Sequence, residues 1–204
     1  MKKFSLKSST VVGAVLLLIT VSIISCEKNK DNDKEAGAQA VIAAWPATSK
    51  KVAEEMIGKY GQPQGAIADM LVWNNSGPWK RTIVYRDTVA HSFPTPHPDL
   101  LEQFIDYKVP VDKYDDMAAY DGSVIVERTK GEMSARCDKE GANFLAINLA
   151  NDVATGAKTM VEARAYYTQA MKTFMQTGQM DPYMQGFKFT LPTSGTKDPD
   201  TRTF

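Results

Sequence analysis

The chain is short of the residues that most often carry chemistry. Its 204 residues include two cysteines and two histidines. Two cysteines exclude a disulfide-dense scaffold. There is no His-Glu-x-x-His, Gly-x-Ser-x-Gly, Walker loop, dinucleotide glycine fingerprint or Cys-x-x-Cys, so the common zinc-protease, hydrolase, nucleotide and thiol-redox patterns are absent. It also lacks net charge, with 24 basic against 24 acidic residues. Nothing in that balance attracts a polyanion, and no nucleic-acid partner is expected. Aromatics at 9% and charges at 24% exclude a wholly disordered, collagenous or coiled-coil chain.

The zero balance averages two unlike pieces. Residues 1–25 hold Lys2, Lys3 and Lys7 and no acid, while the remaining 179 hold 21 basic and 24 acidic residues. The basic start is followed by an uncharged stretch from Ser8 to Ser25, with an apolar run at Val11–Ile24. That order is the layout of an export signal, and the run is short of the ~20 residues that span a bilayer. It ends in Ile23-Ile24-Ser25-Cys26.

This end resembles the lipobox of bacterial lipoproteins, with a branched aliphatic residue at −3, a small residue at −1 and then cysteine. The resemblance implies diacylglycerol on the Cys26 sulfur, cleavage before Cys26 and N-acylation of the new amine. With each buried CH₂ contributing about 0.8 kcal/mol, several acyl chains make a stable anchor. Glu27–Glu35 has seven charged residues in nine and no apolar one, which suits a solvated tether. A charged cluster directly after the lipidated cysteine also resembles the surface-export signal of Bacteroidota lipoproteins. The expected location is thus the cell envelope, on the periplasmic or surface face of the outer membrane. The partitions expected are signal peptide 1–25, tether 26–44, globular domain 45–192 and a frayed tail 193–204.

Within the domain, Ser49–Tyr60 places Val52, Ala53, Met56, Ile57 and Tyr60 on one helical face, with Gly61 as stop. Met70–Trp73 and Trp79–Arg86 read as a hairpin around Asn74–Pro78. Val89–Pro98 has three prolines and predicts an extended loop. Pro98 suits the first position of a helix over Asp99–Tyr107. Another turn or two is expected at Lys113–Ala119, and a second hairpin at Ser123–Arg128 and Glu132–Cys137. Two long helices follow, Lys139–Thr155 and Met160–Thr177, the second opened by the capping box Thr159-x-x-Glu162. Phe187–Leu191 suits a last strand. The order predicts an α+β fold, antiparallel hairpins packed against helices. The first helix, Gly61-x-Pro63 and the tryptophan hairpin also resemble, over about 40 residues, outer-membrane assembly lipoproteins of the SmpA/OmlA type; no functional residue follows from that.

Three constellations are candidates for function. His91 and His97, with Asp99 and Glu102, offer imidazole and carboxylate ligands for a first-row metal, or a catalytic pair; the plainer alternative is that His97 caps the helix at Pro98 and His91 sits on an exposed loop. Cys137 lies where a strand gives way to a helix, with Asp138 as N-cap and Arg136 beside it, a setting that favours thiolate; against that, Met133, Ala135 and Cys137 alternate onto one apolar strand face, and a lone buried cysteine is a small hydrophobe more often than a nucleophile. Trp73, Trp79 and Tyr85, interleaved with Lys80, Arg81 and Arg86, suit a sugar or peptide platform if exposed and a core if buried. No cofactor is predicted beyond the covalent diacylglycerol and N-acyl chain at Cys26. The partners expected are the membrane through that anchor and an envelope protein or glycan. A binding or assembly module is the first reading; a lipid-anchored hydrolase or metal-dependent enzyme using the His91/His97 loop is the second.

Overall fold

The structure is a computed structural model and describes residues 37–204. The segments expected as signal peptide (1–25) and, up to residue 36, as tether, with Cys26 among them, lie outside the described residues. A helical stretch over 37–42 leads to α1 (Ala47–Tyr60), β1 (Gly65–Ile67), β2 (Met70–Ser76), β3 (Trp79–His91) and β4 (His97–Asp106). A 3₁₀ turn at Val111–Lys113 then leads to α2 (Tyr114–Tyr120), β5 (Val124–Glu127), β6 (Glu132–Cys137), α3 (Glu140–Thr155), α4 (Met160–Thr177) and a second 3₁₀ turn at Pro182–Met184. The six strands form one sheet, ordered β1-β2-β3-β4-β6-β5, and every pairing is antiparallel. The fold is α+β.

Local chemistry places most elements where the sequence does. α4 begins at Met160 because Thr159 accepts from the Glu162 amide while Glu162 reaches back to Thr159, satisfying donors that the first turn leaves free. Gly156 and Gly178 end α3 and α4 at φ 76° and 74°, a backbone state a side chain would strain.

Four expectations are corrected. The segment Asp99–Tyr107 is not a helix, and Val89–Pro98 is not all loop: β3 runs on to His91, and His97 opens β4. Pro98 sits near the start of β4, where its missing N–H costs the ladder little. Beyond it Leu101, Gln103 and Ile105 alternate into the core at 0%, 0% and 1% exposure. Phe187–Leu191 is irregular chain whose Phe187, Phe189 and Leu191 pack on the core. The domain also starts before Trp45, since Ala38 and Ile42 are fully buried.

The tail from Thr193 is not simply frayed either. Thr196 is buried, the Asp198 amide donates to the Arg128 carbonyl at 3.2 Å, and the Arg128 Nε donates to Asp198 at 3.1 Å. Gly131, at φ 65°, makes this crossing possible: a Cβ there would lie 2.2 Å from the Thr196 backbone. Gly131→Ala is expected to lower stability by about 1–3 kcal/mol through the left-handed backbone alone and to detach the tail. Denaturant unfolding, with limited proteolysis of 193–204, checks both.

The core lies on one face of the sheet, in two clusters. Leu71, Trp73, Val84, Leu100 and Leu101 pack with Ala38, Ile42, Val52 and Met56. Ile105, Met133, Ala135 and Cys137 pack with α2, α3 and α4. α3 is the central helix, with 13 of its 16 residues buried, Glu140, Asn143, Asn148 and Asp152 among them, so it is enclosed almost all round rather than along one stripe. A polar seam accompanies these clusters. Ser76 and Thr82 share a 2.7 Å hydrogen bond, and Gln103 donates to Thr82 and to Glu140 at 3.3 and 2.9 Å. Asn143 donates to Gln103 at 3.0 Å.

One irregularity shapes the far end of the sheet. Between the pairs Val84↔Leu101 and Val89↔Asp99, β3 spends four residues, Tyr85–Thr88, where β4 spends only Leu100. Beyond this bulge the two strands continue as an arm that carries His91 opposite His97. Among the described residues no helix is long and apolar enough to cross a membrane.

Candidate metal centre

The arm brings both histidines and one carboxylate to the same place. His91 and His97 are cross-strand partners, and Asp99 follows His97 by two residues, so the three side chains share a face. The closest approaches are His91 Nδ1 to Asp99 Oδ2 at 3.4 Å and His97 Nε2 to Asp99 Oδ1 at 3.3 Å. One ligand atom from each of the three lies within 4.8 Å of the others. Asp99 is buried and the two imidazoles are largely covered. His97 is therefore not a helix cap, and His91 is not on an exposed loop.

The next shell comes from residues that sequence reasoning did not assign to the histidines. His97 Nδ1–H donates to the Thr95 carbonyl at 2.8 Å, which leaves Nε2 facing Asp99. His91 Nε2 lies 3.7 Å from Asp121 Oδ1. Asp121 is itself buried and accepts from the Ser123 amide and hydroxyl at 2.9 and 2.8 Å. Burial pushes its carboxyl up, against the pull of those two donors. Arg136 Nε sits 4.0 Å from Asp99 Oδ2. His97 has its pKa pushed up to about 11, chiefly by the Asp99 carboxylate and then by Cys137. As a free side chain it is an imidazolium at neutral pH.

Glu102 does not join the group. Three residues from Asp99 along a strand, it points to the opposite face, where it accepts from Tyr85 Oη at 2.8 Å and Ser134 Oγ at 2.7 Å. A helix would have stacked Asp99 and Glu102 one turn apart; the strand separates them.

Cys137 adjoins His97 but is 4% exposed. Burial pushes its thiol up, and the hydrogen bond with His97 offsets this only in part. The helix-start setting that would favour a thiolate is absent: α3 begins at Glu140 behind Lys139, and Asp138 is not the N-cap. Asp138 instead accepts from Cys137 Sγ at 3.4 Å and from Lys139.

Of the two alternatives for the aromatic residues, the tryptophans take the core. Trp73 and Trp79 are each 1% exposed, with their indole N–H groups given to the Gly61 carbonyl and to Glu140 at 2.8 Å each. Tyr85 is half-buried and committed to Glu102. No ligand can stack on the two indoles.

A cleft of about 220 Å³ opens beside His97, between the arm and α4. Pro94, Tyr167, Met171, Phe174 and Met175 give it apolar walls, while His97, Asp138 and Lys139 supply polar groups. Phe93 and Tyr167 brace the arm against α4 with ring centroids 5.2 Å apart, and the Arg164 guanidinium covers Phe93 at 3.8 Å. Two imidazoles and a carboxylate make a donor set for a borderline transition ion, and the cleft offers room for a small molecule beside it. Comparison with protein-family models, curated proteins and solved structures returns no match to this chain.

Proposed function

We propose that this chain is a lipid-anchored protein of the cell envelope whose folded domain is a binding module, with its ligand site in the cleft between the β3–β4 arm and α4. The observation that carries the anchor is Ile23-Ile24-Ser25-Cys26 at the end of a basic, then apolar, leader. Diacylglycerol and an N-acyl chain at Cys26 hold the protein in the membrane, and the charged segment after it spaces the domain from the surface. Binding is favoured over covalent catalysis because Cys137, although it lines the cleft, is buried and its thiol is pushed up.

Cys26→Ala is expected to abolish incorporation of labelled fatty acid. The same change should move the protein from the detergent phase to the aqueous phase on partitioning; unchanged labelling refutes the anchor. A second reading, a metal-dependent enzyme on the same anchor, is favoured by the convergence of His91, His97 and Asp99. Hydrolytic turnover that is lost in His97→Ala would select it over the binding module.

A further inference from the structure

From this geometry we infer that His91 Nδ1, His97 Nε2 and the Asp99 carboxylate hold one divalent transition ion, zinc in the first instance. The inference names the ligand of the binding site proposed above and rests on that site, though not on the lipid anchor.

Three independent features support it. The first is spacing. Ligand atoms about 2.0–2.1 Å from a tetrahedral ion lie roughly 3.4 Å from one another. The imidazole-to-carboxylate approaches here are 3.4 Å to Asp99 Oδ2 and 3.3 Å to Asp99 Oδ1, and one ligand atom from each of the three residues lies within 4.8 Å of the others.

The second is unsatisfied polarity. Five buried side-chain atoms among the described residues have no hydrogen-bond partner, and His91 Nδ1, Asp99 Oδ1 and Arg136 Nε are three of them. Native interiors leave few such atoms. An ion between the imidazoles and the carboxylate gives the first two their partner.

The third is orientation. Metal-bound histidines commonly give their other ring N–H to a carbonyl or carboxylate, which fixes the tautomer and aims the lone pair. His97 does so to the Thr95 carbonyl, and Asp121 Oδ1 is the carboxylate oxygen nearest the other nitrogen of His91, 3.7 Å from Nε2. Both remaining nitrogens face Asp99. Two nitrogens and one carboxylate suit zinc and its neighbours rather than calcium or magnesium, which prefer all-oxygen cages. Three protein ligands leave a further coordination position for water or a ligand from the cleft, the arrangement of reactive rather than purely structural zinc sites.

The test is metal titration of the full chain in detergent after chelator treatment, with Zn²⁺ for affinity and Co²⁺ for its visible absorption bands. One equivalent of either ion is expected, with Co²⁺ bands of imidazole and carboxylate coordination. His91 and His97 are the only histidines in the chain, so an imidazole signature has no other source. His91→Ala should weaken Zn²⁺ by about 100-fold or more. Asp121→Asn, which keeps every ligand, should weaken it by about 10–100-fold, as loss of an orienting partner does. Glu102→Gln, on the opposite face of the sheet, should leave affinity unchanged.

A wild-type chain that is folded by circular dichroism and takes up neither ion overturns the site, as does Zn²⁺ affinity unaltered in His91→Ala. Either result leaves the anchor standing, because fatty-acid labelling at Cys26 is a separate measurement. A non-metal ligand found in the cleft of such a chain would leave the binding module standing too.

Discussion

Glu140→Ala is expected to lower the unfolding free energy by about 3–5 kcal/mol, the range for breaking a buried charged network by removing one partner. Glu140 is the first residue of α3 and is 8% exposed. Its Oε1 accepts from Trp79 Nε1 at 2.8 Å, from Gln103 Nε2 at 2.9 Å and from Tyr60 Oη, and its Oε2 pairs with Lys59. One carboxylate therefore ties α1, β3 and β4 to the start of α3. Alanine would strand the indole and amide donors in the interior at about 1–3 kcal/mol each, whereas Lys59, half exposed, can turn to water. Glu140→Gln keeps an acceptor for part of the set and should cost less, about 1–2 kcal/mol.

The pH dependence separates the two effects. Burial acts to raise the Glu140 carboxyl, but hydrogen bonds from Lys59, Tyr60, Gln103 and Trp79 outweigh it, and the group is held below its ordinary 4.5. A depressed folded-state value means that the ionised carboxylate contributes stability above about pH 4.5, and that this contribution fades as pH falls through the folded-state value. Urea unfolding at pH 7 and in the acid limb should show the wild type losing stability on acidification faster than either variant. Equal slopes would mean that the charge contributes nothing.

Trp73→Ala should cost about 3–5 kcal/mol, the range for removing a large buried aromatic. The indole fills the cluster between α1 and the sheet, with Leu71, Val84 and Leu101 around it, and it caps the exit of α1 by donating to the Gly61 carbonyl at 2.8 Å. Trp73→Phe keeps most of the apolar area and forfeits that bond, for which about 1–2 kcal/mol is expected. Thermal or denaturant unfolding checks the order Ala > Phe > wild type. A Trp73→Ala protein of unchanged stability would return the residue to the surface role that its sequence context allows.

The sequence makes the fold class and the long helices legible because their signals are local. A capping box, two C-terminal glycines and the alternation of Met133, Ala135 and Cys137 depend only on neighbouring residues, and each recurs in the structure. β4 is illegible for the opposite reason. Pro98 followed by Asp99 imitates a helix start, and Leu100-Leu101-Glu102-Gln103 breaks the apolar alternation because Gln103 is a buried polar residue paired across the core. The error carries into the candidate site. Read as a helix, the segment pairs Asp99 with Glu102; read as a strand, it pairs Asp99 with His97 and, across the ladder, with His91. Asp121, Arg136 and Thr95 carry no signal of their own, since they reach the site only through tertiary packing. Glu140 likewise reads as an ordinary helix-start acid until four donors from three other elements surround it.

The bulge at Tyr85–Thr88 has a further consequence for the reading frame of the strand. In the body of the sheet the even-numbered residues of β3, Thr82 and Val84, stand opposite Gln103 and Leu101; past the bulge the odd-numbered Val89 and His91 stand opposite Asp99 and His97. The surplus of three residues is odd, so it inverts the parity of the strand. Losing one residue from the bulge would shift the arm by a single step and place Ser92 where His91 now stands, with the rest of the sheet unaltered. Losing two would keep His91 on its face. For this chain, then, what the loop-like segment between Val84 and Val89 must conserve is less its composition than whether its length is odd or even.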